Sequence, residues 1–336
     1  MNVLITGGSG YVGSRLTYKL LDNKKIDTIV NYDISLFGDQ HLPKNRKYFY
    51  EKKDLRDINF FEQVLRKYKI NKVLHLACIS NDPTFELNSN ISKKINFDSF
   101  EPVVKASKEN GVNDFIYAST CSVYGISDEP EVKEDHPLVP LTDYNKYKAK
   151  CEPILKKYLN DAFNGVIIRP ATVCGFSEKM RFDLSVNILT NFAYNKSLIK
   201  VFGGKQTRPN VHIDDICKLY EDLIIKGLKK INGETFNAGH ENLSIMSIAE
   251  KISKHMKTKF SKDIEIIIEP SNDPRSYRIN SDKLKNDYGF IFEKSVDTAI
   301  DDLLNAFENK KIIDSFSDKW QNISILKKLE SEKKYI

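Results

Sequence analysis

The chain has 336 residues, enough for one large α/β domain or two small ones, and 40% hydrophobic with 11% aromatic residues is a globular composition. Its net charge of +6 comes from lysines scattered among Asp, Glu and Asn, without a block of about five like charges, so no nucleic-acid footprint is present. No apolar run approaches the roughly 18 residues of a membrane span. The first predicted strand starts at residue 2 and leaves no room for a leader, and Cys78, Cys121, Cys151, Cys174 and Cys217 form no CxxC pair, which together point to a cytoplasmic protein without disulfides or zinc.

In chain order, Val3-Leu4-Ile5 is an apolar run short enough for a buried strand. Thr6-Gly7-Gly8-Ser9-Gly10-Tyr11-Val12-Gly13 follows, and Ser14 to Leu21 then has helical spacing. Strand, glycine loop and helix stand in the order a dinucleotide site needs. The tight turn asks for residues that tolerate positive φ. A pyrophosphate must approach the backbone closely, and the helix start offers it free N–H groups and a positive dipole end. Gly7, Gly10, Tyr11, Val12 and Gly13 are the predicted cofactor contacts there. The next apolar run, Ile26 to Tyr32, ends at Asp33. A carboxylate at that place binds both ribose hydroxyls and repels a 2′-phosphate, which favours NAD over NADP.

Further strands are predicted at Lys72 to Ala77, Asp114 to Ser119 and Val166 to Arg169. Helical patterns lie near Ile58 to Tyr68, Ile91 to Glu109 and Tyr144 to Phe163. Strands alternating with helices imply an α/β fold with a parallel, doubly wound sheet, whose ligands sit beyond the carboxyl ends of the strands. That rule selects Asp54, Leu55, Leu76, Ala77 and Pro170, taken for the cofactor, and Ser119, Thr120 and Ser122, taken for the substrate; Asn81 is a further substrate candidate. After Gly175 the alternation breaks down. A helix is predicted over Met180 to Tyr194, a strand over Ile199 to Phe202, a helix over Val211 to Lys226 and a strand over Glu234 to Ala238. A helix over Ser244 to Met256, a strand over Ile264 to Ile268 and a helix over Val296 to Ala306 complete the pattern, and the tail from Ser331 is expected to fray. The expected division is a dinucleotide domain over 1–175, rejoined by part of 206–240, and a smaller C-terminal substrate-binding lobe from 176–205 and 241–330.

Tyr144 and Lys148 are four residues apart at a helix start and share one face. A tyrosine alone is a poor base at neutral pH, and a neighbouring ammonium is expected to lower its pKa. The pair can then take a proton from an alcohol while hydride leaves to nicotinamide. Tyr117 to Gly125 ends a strand on the ligand side. Thr120 is the hydroxyl chosen there to orient a sugar alcohol toward Tyr144, with Ser119 and Ser122 as neighbours. Cys121 reads as a small packed residue.

These motifs in this order (TGGSGYVG, the Asp33 position, Leu74-His75-Leu76-Ala77, STCSVYG and YxxxK) resemble the extended short-chain dehydrogenase/reductases, and within them the nucleotide-sugar epimerase/dehydratase branch. The resemblance runs from Met1 to about residue 308. It implies a Rossmann domain holding NAD, a C-terminal lobe holding an NDP-sugar, and a catalytic set of Thr120, Tyr144 and Lys148. It also implies a homodimer through the helices at Ile91 to Glu109 and Tyr144 to Phe163. Thr207 to Asp215 resembles the branch's R-x-Y-I-H-V-x-D segment, whose arginine meets the sugar diphosphate; Arg208 takes that role here, although Pro209-Asn210 departs from the usual Asp-Tyr. Arg275 lies where the branch often places another phosphate- or ribose-binding arginine. Arg181 and Asn187 are candidates to line the nucleotide pocket. His75 and His212 have no companions at metal spacing, so no metal site is expected.

Dehydratases of the branch carry Thr-Asp-Glu at this strand end, whereas Thr120 is followed here by Cys121 and Ser122. That leaves a 4-epimerase first, an NDP-sugar 4-dehydrogenase second and a 4-keto-sugar reductase third. A non-catalytic NAD-binding regulator is the reading from another class, and it predicts a damaged catalytic set.

Overall fold

The computed structural model describes residues 1–80, 82–127, 129–271 and 276–332. β1 (Asn2–Thr6) leads through the glycine loop into α1 (Tyr11–Leu21), and β2 (Thr28–Asp33) is followed by β3 (Tyr48–Lys52) and α2 (Ile58–Lys67). β4 (Lys72–His75) precedes α3 (Asp82–Leu87), α4 (Ser89–Lys93) and α5 (Phe100–Glu109), then come β5 (Asp114–Ala118), α6 (Asp143–Tyr158), β6 (Asn164–Pro170) and β7 (Thr172–Cys174). The second half runs α7 (Ser185–Lys196), β8 (Leu198–Phe202), β9 (Thr207–His212), α8 (Ile213–Lys226), β10 (Thr235–Ala238), β11 (Glu241–Ser244) and α9 (Ile245–Phe260). It closes with β12 (Glu265–Glu269), α10 (Val296–Glu308) and α11 (Asn322–Ser331).

Seven strands form one parallel sheet in the order β10-β6-β5-β4-β1-β2-β3. The order reverses between β1 and β4, so a crevice opens beyond their carboxyl ends. The run Val3-Leu4-Ile5 is continuous because both faces are covered, and all three residues are fully buried. Val3 and Ile5 pack toward α1 and α8, and Leu4 packs on the other face with Val30, Phe61, Val73, Phe115 and Tyr117.

A three-stranded sheet (β11-β9-β7), a two-stranded one (β12-β8) and helices α7, α9 and α10 stand over the carboxyl end of the main sheet. β10 returns to the edge of the main sheet beside β6.

Several elements differ from the sequence expectation for local reasons. Val211 and His212 belong to β9, and α8 starts at Ile213 because the His212 imidazole accepts the Asp214 amide at 3.1 Å and caps it. The helix expected at Ile91 to Glu109 contains a π turn over Lys94–Asp98. The one expected from Met180 begins only at Ser185. β3 is a half-exposed edge strand without alternation, and β7, β9 and β11 are short, so their patterns are weak.

Candidate active site

The glycine loop is shaped by contact. Gly7 has φ +75°, and a Cβ on it would stand 2.7 Å from the Ala77 nitrogen; one on Gly13 would stand 2.5 Å from the Gly7 oxygen. Gly10 begins α1 with no capping side chain, and the first turn carries no acidic residue, so its backbone donors are left for a ligand. Asp33 lines the same cavity and accepts the amides of Ser9 (2.9 Å) and Ser35 (2.7 Å). Burial pushes its carboxyl up, against those hydrogen bonds. Gly7, Val12, Leu55, Leu76, Ala77 and Pro170 also line the cavity. Asp54 does so while its carboxylate holds Arg56 at 2.7 Å. Tyr11 lines the cavity too, and its buried phenol donates to the Gly175 carbonyl at 2.7 Å.

α6 presents the chemistry. Thr142 caps it, accepting the Asn145 amide, and donates to Asp82 at 2.5 Å. Tyr144 and Lys148 follow on one face, and both line the cavity together with Thr120. The Thr120 hydroxyl accepts the Ser122 amide at 3.1 Å and so caps the 3₁₀ turn Cys121–Tyr124. Its own hydrogen remains available. The Lys148 ammonium, buried, donates to the Ala118 carbonyl at 2.7 Å and lies 5.1 Å from the Tyr117 ring centre.

The expected electrostatics need a correction. Burial pushes the Tyr144 phenol well above its ordinary value, Cys78 and Asp82 push the same way, and the leading opposing charge is Arg181, not Lys148. Lys148 is turned to a carbonyl instead. Two further assignments also change. Ser119 borders the cavity, but its hydroxyl is turned into the protein and donates to Glu152 at 2.7 Å. Asn187 is fully buried; it takes the Gly175 amide at 3.0 Å and donates to the Tyr11 phenol and the Arg181 carbonyl, and it does not line the cavity. Arg181 does, with Asp183 held at 3.0 and 2.7 Å. Arg208 and Ser122 line the cavity as expected of pocket residues, Ser122 beside the Tyr277 phenol at 3.3 Å. Asn81 and Arg275 lie outside the described residues.

A buried cluster that the sequence reading does not reach supports this arrangement. Arg169 and Glu152, each about one-twentieth exposed, pair at 2.6 and 3.0 Å. Arg169 also donates to the Tyr124 phenol (2.6 Å), which donates to Asn237 (2.7 Å), and the Arg169 carbonyl accepts the Cys121 thiol (2.8 Å). Through Glu152 it reaches Ser119 as well. One guanidinium thus pins both ends of the turn that carries Thr120 to the helix that carries Tyr144. Only the partner contacts reveal this, because neither residue belongs to a spaced motif.

His75 is buried against the Thr6 hydroxyl at 3.0 Å, and burial pushes it down to about 3, so it is neutral and structural. Among the described residues His212, Asp214 and Asp302 bring donor atoms within 4.8 Å of one another. Asp214 already holds Arg15 at 2.8 Å and Lys294 at 2.5 Å, and a divalent ion would have to displace both.

The cavity has a volume of about 740 Å³ and is lined by both halves of the chain, the second contributing Lys200, Phe202, Gln206 and Arg208. A parallel sheet with an uncapped glycine loop at its switch point, and Thr120, Tyr144 and Lys148 lining the same cavity, is the architecture of a dinucleotide-binding protein. Residues 3–239 match the NAD dependent epimerase/dehydratase family. The chain belongs to that family and is an NAD-dependent enzyme.

Among its relatives is the dTDP-D-glucose 4,6-dehydratase of Homo sapiens, 26% identical over 298 residues that cover 84% of this chain and 83% of that protein. The UDP-glucose 4-epimerase of Rhizobium meliloti is 29% identical over 181 residues, 52% of each chain. Among solved structures, the UDP-glucose 4-epimerase of Thermotoga maritima matches with a TM-score of 0.81 at 22% identity, covering 92% of this chain and 99% of that one. The dTDP-glucose 4,6-dehydratase of Streptomyces venezuelae, solved with NAD, matches at 0.82 and 19% identity, covering 94% and 100%. The tight glycine loop, which a Cβ at Gly7 or Gly13 would drive into neighbouring backbone, leaves the uncapped start of α1 beside the cavity and fits the dinucleotide that the family requires.

Proposed function

We propose that this enzyme is a nucleotide-sugar epimerase that works by transient oxidation at sugar C4. The observation that carries the reading is a single cavity joining the glycine loop and Asp33, the Thr120–Tyr144–Lys148 set, and the cationic Lys200 and Arg208 of the second lobe. The backbone of 10–13, Asp33, Leu55, Ala77 and Lys148 would hold NAD, which when bound supplies a reversible hydride acceptor. Tyr144 takes the proton of the C4 hydroxyl and returns it. The Thr120 hydroxyl orients that alcohol. Arg208 offers a fork of donors to the sugar diphosphate. Arg181 opposes the burial that disfavours the Tyr144 phenolate.

Two features weigh against neighbouring chemistries. 4,6-Dehydration needs an acid and a base at the strand end, and Cys121 and Ser122 stand there. The Cys121 thiol is buried on a carbonyl, and burial pushes its pKa up, so it supplies neither. A reductase using NADPH would meet the Asp33 carboxylate. The intact catalytic set speaks against a non-catalytic regulator. The proposal also takes the enzyme to be a homodimer through α5 and α6, located in the cytoplasm, with 1–175 as the dinucleotide domain.

The test is cofactor retention with turnover. Purified protein is denatured and the released small molecules are identified by mass spectrometry, and conversion of a panel of NDP-hexoses is followed without added NAD. Retained NAD and interconversion of C4 epimers support the proposal. An empty site, with NADH appearing only when an NDP-sugar and NAD are added, supports the dehydrogenase instead.

A further inference from the structure

Lys179 is a buried cation that the chemistry above leaves unused. It is 4% exposed, it lines the cavity, and its ammonium donates to the Lys319 carbonyl at 2.9 Å. Two aromatic rings flank it, Phe37 at 5.8 Å and Trp320 at 6.0 Å. Among the described residues no carboxylate lies within 4.0 Å of it. A buried ammonium without a counter-charge is costly, and proteins pair such charges. Burial, then the Lys319 charge, push it down to about 8, with Asp183 opposing from a distance.

Its neighbours say which anion belongs there. The two residues before it are tied to the start of α1: the Ser177 hydroxyl donates to the Tyr11 carbonyl at 2.7 Å and lies 3.0 Å from Ser14, and Glu178 holds Arg15 at 3.3 Å. On its other side Phe37 belongs to the loop that follows Asp33. That loop is fastened to the glycine loop, since Ser35 bonds Ser9 at 2.8 Å and His41 bonds the Ser9 carbonyl at 2.9 Å. Lys179 therefore lines the cavity between the Asp33 loop and the C-terminal segment, on a stretch whose two preceding residues are tied to α1.

We infer that Lys179 is a cationic contact for the diphosphate of the bound dinucleotide, delivered from outside the main sheet, with Lys319 and Trp320 holding it in place. The inference rests on the NAD dependence of the family and is independent of which sugar is turned over. It concerns affinity, so it is read without turnover.

The experiment measures dissociation constants of NAD, NADP, ADP and adenosine, and of UDP on the NAD-loaded enzyme, for the full-length chain and for Lys179→Met, Lys179→Gln and Lys179→Arg, by calorimetry or by displacement of bound NAD. Gln removes the charge yet can still donate to the Lys319 carbonyl; Arg keeps the charge. The expected result is weakening of NAD and ADP by about tenfold or more in Met and Gln, as loss of a charge-assisted contact implies. Adenosine should stay within about twofold, and Arg should retain most of the affinity. The salt dependence of NAD binding should flatten in Gln. Equal loss for adenosine would assign Lys179 to packing of the C-terminal segment. Loss confined to NADP would move the contact to a 2′-phosphate. Loss seen only for a nucleoside diphosphate added to NAD-loaded enzyme would move it to the sugar-nucleotide side. Each of these, or unchanged affinity, overturns the inference.

Discussion

Tyr144 works against its surroundings: enclosure, Cys78 and Asp82 hold the phenol protonated, and Arg181 opposes them. If Tyr144 is the base, turnover rises with pH as the phenolate forms, because a raised pKa places that limb on the alkaline side. Arg181→Met removes the opposing charge and should move the limb of kcat/KM further to alkaline pH; an unmoved limb would remove Arg181 from this role. Tyr144→Phe should lower kcat by about 10²–10⁴-fold while NAD stays bound. Asp33→Ala should narrow the preference for NAD over NADP, read as the ratio of the two dissociation constants. His75 gives a stability prediction of definite sign. Its folded-state pKa, about 3, lies below the ordinary 6.5. The unfolded chain therefore binds the extra proton, and stability falls as pH drops below about 6.5, by up to about 1.4 kcal/mol per unit. Chemical denaturation at pH 7 and pH 5 should show the loss in the parent and a smaller one in His75→Gln. Most of these residues were legible because the motif spacing places them at strand ends. The direction of the Tyr144 shift was not, since YxxxK spacing says which side chains share a face and nothing about where an ammonium points.

At the scale of elements, the turn carrying Thr120 and the helix carrying Tyr144 meet through Arg169 and Glu152. Both side chains are 6% exposed, so Glu152→Gln leaves a buried guanidinium poorly paired. The expected loss is about 3–5 kcal/mol by denaturant unfolding. Tyr124→Phe removes one hydrogen bond without stranding a charge, and should cost about 1 kcal/mol while slowing turnover. If the clasp acts through Thr120, Tyr124→Phe should add little to the defect of Thr120→Ala in kcat; full additivity would separate the two. Six of the seven strands of the main sheet and helices α1, α2, α5 and α6 were legible in outline from alternating periodicity; the half-exposed edge strand β3 was not. β7, β9 and β11 were not, since strands of 3, 6 and 4 residues inside a mixed lobe leave little period to read. The α8 start was misread because β9 and α8 are continuous in apolar pattern, and only the His212 cap separates them.

At the scale of the molecule, the segment after α10 folds back against the first half of the chain at the cavity. Leu326 of α11 is 1% exposed and packs with Ile79 and Ile91, while Asn322 and Ile323 border the cavity. No long-range pattern in the sequence announces this docking, because Leu326 sits in a charged, short helix. Leu326→Ala should loosen that contact and speed NAD release, measured by displacement with labelled NAD; an unchanged rate would detach α11 from cofactor retention. No described helix is long and apolar enough to cross a membrane. The central claim, a sugar alcohol oxidised and rebuilt within one cavity, is tested most directly by proton NMR of purified enzyme with an NDP-hexose and no added cofactor. The account predicts that the C4 epimer appears to an equilibrium mixture, that no NADH accumulates, and that Tyr144→Phe shows neither change. Accumulation of a 4-keto or 4-keto-6-deoxy sugar by the parent, or conversion undiminished in Tyr144→Phe, would contradict it.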